Sequence, residues 1–314
     1  MAATAGYQAG IASDDVELSY APEATWGVLP AVAFKALRIT SETLAGQKAR
    51  QRPAEISRAG QAAAAVTTQV TAGGQINFAL SSATFDDVLA SLLRNDWATD
   101  ELTNGTLFKS LHIQKRLAAD KYLRYPGSYV TAGSLTASVG QFLSGSFTVA
   151  SKSQDKATAD ASTGAFVAAP GGRVVDGVSG VRNLMRGGAA VQAVVESVTL
   201  NITNEGAAGQ YGLGSASAQG MTPGTFTLAG QLRTFFKDFT LYDEFAAETL
   251  APLSFETVDL DGDGYRFTVL AATLMNPQIV AGGPGQAVMA EFAIEGNPSA
   301  DGGPTLQVER ITAP

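Results

Sequence analysis

Apolar and polar residues alternate along much of this chain, the pattern of strands with one buried face. The alternation is clear at 34–42, Gln75-Ile76-Asn77-Phe78-Ala79-Leu80, 134–140 and 145–150, and again at 198–205, 223–232, 253–260, 265–275 and 286–297. A different period appears at Phe85, Val88, Leu89, Leu92 and Leu93, which recur at three and four residues as an amphipathic helix does. Thr84 is placed to cap it, and Asp86 and Asp87 fall in a first turn where the helix dipole favours acids. A second short helix is expected over 235–247, with Phe235, Phe236, Phe239, Leu241, Tyr242 and Phe245 on one broad face. Residues 107–130 read as a strand, a turn and a short strand ending at Pro126-Gly127.

The order of strand, long excursion, strand, helix and strand group occurs twice. It predicts a mainly β fold, built from a duplicated sandwich or barrel-like unit with one flanking α-helix per unit, because a single sheet face cannot bury its apolar side alone. The expected boundaries are an arm at 1–13, a first unit at 14–150, a Ser/Ala/Asp/Thr-rich linker at 151–189 and a second unit at 190–314. The loop around Trp26 carries Pro22, Gly27 and Pro30, so Trp26 is its candidate anchor. Residues 44–69 lack a regular apolar spine and predict a long loop or ribbon outside the core.

Composition narrows the chemistry. Among 314 residues, Lys+Arg number 21 and Asp+Glu 29, so only 16% of the chain is charged, against the ~25% usual for a globular protein. Burial of surface between subunits would account for that scarcity. Net charge −8 argues against a protein that grips the nucleic-acid backbone, but not against one that lets it pass. The absence of Cys and the presence of one His remove disulfides, thiolate catalysis and Cys- or His-rich metal sites, and no cofactor is expected. No signal-like start or continuous apolar run predicts secretion by the usual route or membrane spanning.

Few motifs carry chemistry. Asp259, Asp261, Asp263 and Gly262-Asp263-Gly264 resemble the start of a calcium loop, but Leu270 stands where the bidentate Glu belongs, leaving a hairpin turn with weak cation binding as the alternative. His112 lies in a strand-like run and reads as structural. Glu42, Asp86, Asp87, Glu244 and Glu256 fit caps and solvated faces as well as they fit an acid/base pair. Lys48, Arg50, Arg52 and Arg58 lie together in the 44–69 excursion and favour a protein partner over nucleic acid, as intersubunit contacts.

The segments Tyr20-Ala21-Pro22-Glu23-Ala24-Thr25-Trp26-Gly27, 34–42, Gly73-Gly74-Gln75-Ile76-Asn77-Phe78 and Phe85-Asp86-Asp87-Val88-Leu89 resemble the major tail tube proteins of long-tailed bacteriophages. Similar features continue at 129–135 and 145–147, and the second half is similar mainly in its order of elements. The resemblance implies a structural virion protein rather than an enzyme, acting in the virus tail after assembly in the host cytoplasm. Its implied partners are copies of itself within and between rings, other tail proteins, and double-stranded DNA passing without specific binding through a lumen whose acidic side chains discourage sticking. Residues 44–69 would be the stacking loop and 1–13 an inter-ring arm. Two tube-like units in one chain imply three chains per ring, and one unit implies six. A trimeric tail-tip or baseplate hub and a carbohydrate-binding β protein using Trp26 and Trp97 remain alternatives.

Overall fold

Two strands of 18 residues each organise the molecule, β8 (Lys121–Ser138) and β18 (Gly264–Ala281), the numbering here following the chain. The structure, a computed structural model, describes residues 9–313 apart from 57 and 59. Before and after β8 lie β1 (Glu17–Pro22), β2 (Lys35–Leu37), β3 (Ser41–Glu42), β4 (Ala45–Gln51), β5 (Val66–Ala79), helix α1 (Asp86–Leu93), β6 (Glu101–Thr103), β7 (Leu111–Ala118), β9 (Ser144–Ser151) and β10 (Asp155–Ala157). The second half contributes β11 (Val181–Arg186), β12 (Ala189–Ala190), β13 (Val195–Glu205), β14 (Ala208–Gln210), β15 (Gly220–Thr222), β16 (Thr225–Phe235), helix α2 (Thr240–Ala246), β17 (Ala251–Val258), β19 (Val288–Asn297) and β20 (Leu306–Ile311).

Each long strand belongs to two layers. The first part of β8 pairs with β7 and β10, and its last part pairs with β9 and β13. Likewise β18 begins between β17 and β20 and ends against β19. The same antiparallel pairings recur in the two halves: β1–β7–β8–β9–β5 in one and β11–β17–β18–β19–β16 in the other. Outer strands and inner strands thus form a β-sandwich type of fold. Among the described residues no sheet closes on itself, so the barrel-like option is corrected to an open one.

Period-two burial explains why the layers meet. Along β13, Val198, Leu200 and Ile202 are buried while Asn201 is exposed, and along β16 Leu228 and Leu232 point inward. Phe78 stacks on Phe147 with ring centroids 4.5 Å apart and meets Phe85 at 4.4 Å, forming the centre of the first half. Phe255, Phe267 and Phe292 play that part in the second, and one continuous apolar cluster joins both halves.

Several expectations need correction. The 34–42 strand is broken between β2 and β3. The expected linker contains paired structure: β10 on β8 and β11 on β17, so the second half gains its outer strand before residue 190. Strand β8 does not stop at Pro126-Gly127. The pair is accommodated in a bulge opposite Leu111 and Ile113, with Gly127 at φ +62°. A Cβ at Gly127 would stand 2.7 Å from the indole nitrogen of Trp26, so only glycine lets the ring seat there. Thr84 is not the N-cap of α1. That position is taken by Phe85, without a side-chain cap, because the Phe85 ring is buried in the core and the Thr84 hydroxyl is turned to Ser81, 2.9 Å away.

Candidate assembly surfaces

The inner layer is one antiparallel run of eight strand positions, in the order β3/β4, β5, β9, β8, β13, β16, β19, β18. Its register places a single transverse row of directly opposed residues across the run: Ser41, Asn77, Ser146, Ser134, Asn201, Ala229, Glu295 and Thr273. The face that carries this row is opposite to the buried one. Its side chains bond to each other: Asn77 Nδ2 donates to Ser41 Oγ at 2.8 Å and Gln75 Nε2 to Ser146 Oγ at 3.0 Å. Ser134 and Ser146 hydroxyls lie 2.9 Å apart, and across the joint between the halves the Thr136 and Thr199 hydroxyls lie 3.3 Å apart. The second half adds charges to this face: Glu205, Glu291, Glu295 and Arg233, the last paired with Glu196. Period-two patterning points to such a face, but only the register reveals that Ser, Thr and Asn side chains line up across the joint between the halves, the row continuing through Ala229 and Glu295 to Thr273.

The run has two open ends. Strand β13 pairs with β8 on one side and β16 on the other, so the halves are joined by seven opposed pairs from Ser138↔Ser197 to Ala132↔Thr203. At the far ends, β3 and β4 pair only with β5, and the last part of β18 pairs only with β19, among the described residues. Backbone donors and acceptors on such edges offer a template for another strand.

Leu44 is buried in the core, and the rest of the 44–69 segment projects as a two-stranded ribbon. Strand β4 is exposed throughout and pairs with the first part of β5, from Ala45↔Gly73 to Gln51↔Val66. Lys48, Arg50 and Arg52 lie on its first arm and Arg58 near its tip. Arg50 and Arg52 reach across to the carbonyls of Ala65 and Ala63 at 2.7 and 2.8 Å, stiffening the ribbon. Ile56 is fully exposed beside them. Of the expected arm at 1–13, residues 1–8 lie outside the described residues, and a short 3-10 turn begins at Ser13.

The remaining sequence candidates are distributed through the framework. The half-buried Trp26 indole donates to the Gly127 carbonyl at 3.1 Å, and the Lys152 ammonium lies over the ring. Trp97 stands elsewhere, beneath the Arg310 guanidinium and near Tyr265, so the two tryptophans share no cleft. Asp86 accepts from the Tyr265 hydroxyl and Arg310, whereas Asp87 accepts from Tyr20 and Lys35. Burial raises the hydroxyl pKa of both Tyr20 and Tyr265, and the adjacent carboxylates push them further up. His112 is buried with its Nδ1 3.3 Å from Glu23 Oε1.

Each other candidate acid also faces a cation: Glu42 faces Lys115, Glu244 faces Arg186, and Glu256 faces Arg266 and Arg182. Burial opposes ionisation of Glu256, but hydrogen bonds from Arg266 and Asn183 outweigh it and hold the carboxyl below its usual pKa. These are structural ion pairs. Asp259 makes the β17–β18 turn by accepting backbone N–H groups of Asp261 and Asp263 on one oxygen, and Asp263 accepts from the Ala313 N–H. Their carboxylates serve the backbone, and among the described residues no cluster of metal-ligating side chains converges.

Sequence reasoning did not find Arg186 or Asn204. Arg186 is buried and donates to Glu244 and to the carbonyls of Thr249, Ala251 and Ala272, fastening the end of α2. Asn204 Nδ2 donates to the carbonyls of Leu92 and Val130, tying the second half to α1. Arg186 ends a strand that also carries Arg182 and Asn183, and Asn204 follows Val198, Leu200 and Ile202 at the inward position of β13, signals that name no partner.

The described helices include none long and apolar enough to cross a membrane. No curated protein matches the chain. A family model described as phage tail tube protein matches residues 13–296. That match covers both repeated sets of strands together with the polar inner face and its open edges: this chain belongs to the phage tail tube protein family.

Proposed function

We infer that three copies of this chain close into a ring, that rings stack into a tail tube, and that viral DNA travels along the polar face during delivery. The two halves act as duplicated tube units. The observation that carries the reading is the eight-position inner run, polar and hydrogen-bonded on one face and open at both edges. Within the chain, β8 and β13 already show how one half joins the next; the same antiparallel join between β18 of one copy and β3/β4 of another would close the ring. Three runs give roughly 24 strands at ~4.8 Å spacing, well above the roughly 16–18 at which closed barrels leave an open channel.

The wall needs no catalytic group. DNA passage requires that phosphates find no cluster of Lys or Arg to hold them. Short hydroxyl and amide groups that hydrogen-bond each other provide that surface in the first half, and Glu205, Glu291 and Glu295 add the acidic character that the family resemblance implies. The ribbon over 44–69 supplies the contact between stacked rings and with other tail proteins.

Negative-stain microscopy of the purified protein should show hollow tubes. Isolated rings that never elongate would assign the chain to a tail-tip hub instead, and persistent monomers would sink both assembly readings.

A further inference from the structure

Helices α1 and α2 occupy corresponding places, each after an inner strand, and each begins on a phenylalanine with similar backbone geometry: Phe85 at φ −109°, ψ 10° and Phe239 at φ −91°, ψ 8°. Their surroundings differ. Phe85 is 0% exposed and Phe239 is 58% exposed. Six residues of α1, from Val88 to Leu93, are buried, whereas none of α2 is.

The second half of the chain makes the difference for α1. A small apolar cavity of about 30 Å³ is bounded by Phe85, Leu89 and Leu92 on one side and by Ile202 and Phe267 from the second half on the other. Asn204 holds the Leu92 carbonyl, and Tyr265 and Arg310 hold Asp86 at the helix start. A neighbouring half therefore turns α1 into core. Among the described residues no further half does the same for α2.

What α2 leaves open is aromatic: Phe239 and Tyr242 are exposed at the middle of a row of rings whose ends, Phe236 and Phe245, pack on the core, successive ring centroids lying 5.3, 5.9 and 5.7 Å apart edge to face. The helix packs on β18, whose terminal stretch is the open edge of the inner run. A strand added to that edge would bring its own unit up to α2.

We propose that the aromatic face of α2 is the docking surface for a second copy of this chain, whose first half covers α2 as the second half covers α1. The inference rests on the ring reading and names the contact that seals each joint.

Because the chain has no Cys, a single Asp243→Cys substitution gives an unambiguous reporter one residue from Tyr242 and four from Phe239. Maleimide labelling should be fast in monomers and at least about tenfold slower in isolated rings and in tubes of the purified protein, as burial of the face requires. Equal rates in monomers and rings would overturn the proposal while leaving tubes intact, and protection confined to tubes would make α2 a stacking contact and overturn it too. Failure of the unsubstituted chain to assemble would instead remove the ring reading, and the inference with it. A second variant, Phe239→Ser with Tyr242→Ser, removes exposed side chains and should retain the circular dichroism of the monomer while raising the concentration needed for assembly by about tenfold or more. Assembly at the original concentration by this folded variant would also overturn the proposal.

Discussion

Two buried charged residues hold parts of the fold that apolar packing does not reach. Arg186 satisfies three backbone carbonyls and Glu244 at once, beside a helix with no buried residue of its own. Replacing Arg186 by Met keeps much of the side-chain volume but removes every one of these donors. The expected loss is on the order of 3 kcal/mol, read as a lower midpoint in thermal or denaturant unfolding together with faster amide exchange across α2. Glu256 gives a pH dependence. Its carboxyl is held below the ordinary value of 4.5, so its ion pair stabilises fully above about pH 4.5 and that contribution fades as pH falls through the lower folded-state value. Glu256→Gln should therefore be less stable than the parent at pH 7, with the gap narrowing toward pH 3. A gap independent of pH would mean that shape rather than charge is what Glu256 contributes.

At the level of elements, the ribbon over 44–69 is the part whose shape least serves the chain that contains it. Its first strand is exposed along its whole length, and its arms hold together by pairing and by Arg50 and Arg52. Since Gln51 lies directly opposite Val66, replacing 52–65 by Asn-Gly would close the ribbon with a two-residue turn compatible with strand twist. The shortened chain is expected to keep its midpoint of unfolding within a few degrees, because it loses few buried contacts, and to form rings that no longer stack. Sedimentation and microscopy would check this; tubes of normal length from the shortened chain would remove the stacking role. The glycines at 73 and 74 show a different constraint on β5. At φ +148° and +154° they let the strand pass beside the backbone of Val149 on one side and Thr43 on the other, where a Cβ would collide. The ribbon and the core are thus parts of one strand with a compact crossing between them.

For the whole molecule, the central property is that two similar sets of pairings are fused through β8 and β13 into one sheet. A chain of this kind has already made one of the joints that a ring needs, and it exposes the two edges from which the others follow. The low proportion of charge fits the proposed ring, in which both edges and α2 would become interior. Raising ionic strength should weaken assembly only modestly, because strand pairing and aromatic contact supply the joint; tube mass measured by sedimentation across a salt series tests it, and full dissociation at moderate salt would point to ion pairs instead.

The sequence by itself determined the period of two along most strands, the two helices near Leu89 and Leu241, and the exclusion of thiol and His-rich metal chemistry, because each is a property of neighbouring residues or of composition. It also marked 44–69, through its missing apolar spine, as a long loop or ribbon, although Leu44 packs into the core and only register fixed how the arms pair. Tertiary structure decided what depends on distant partners. Thr84 lost the helix cap because Phe85 had to reach Phe78 and Phe147, and Pro126-Gly127 became a bulge because Trp26, about a hundred residues away, occupies the space beside it. The expected linker yielded strands because β8 and β17 had edges to fill. Most of all, the row from Ser41 to Thr273 exists only through register: alternation tells each strand which face is polar, but hydrogen bonding between strands decides which polar residues become neighbours.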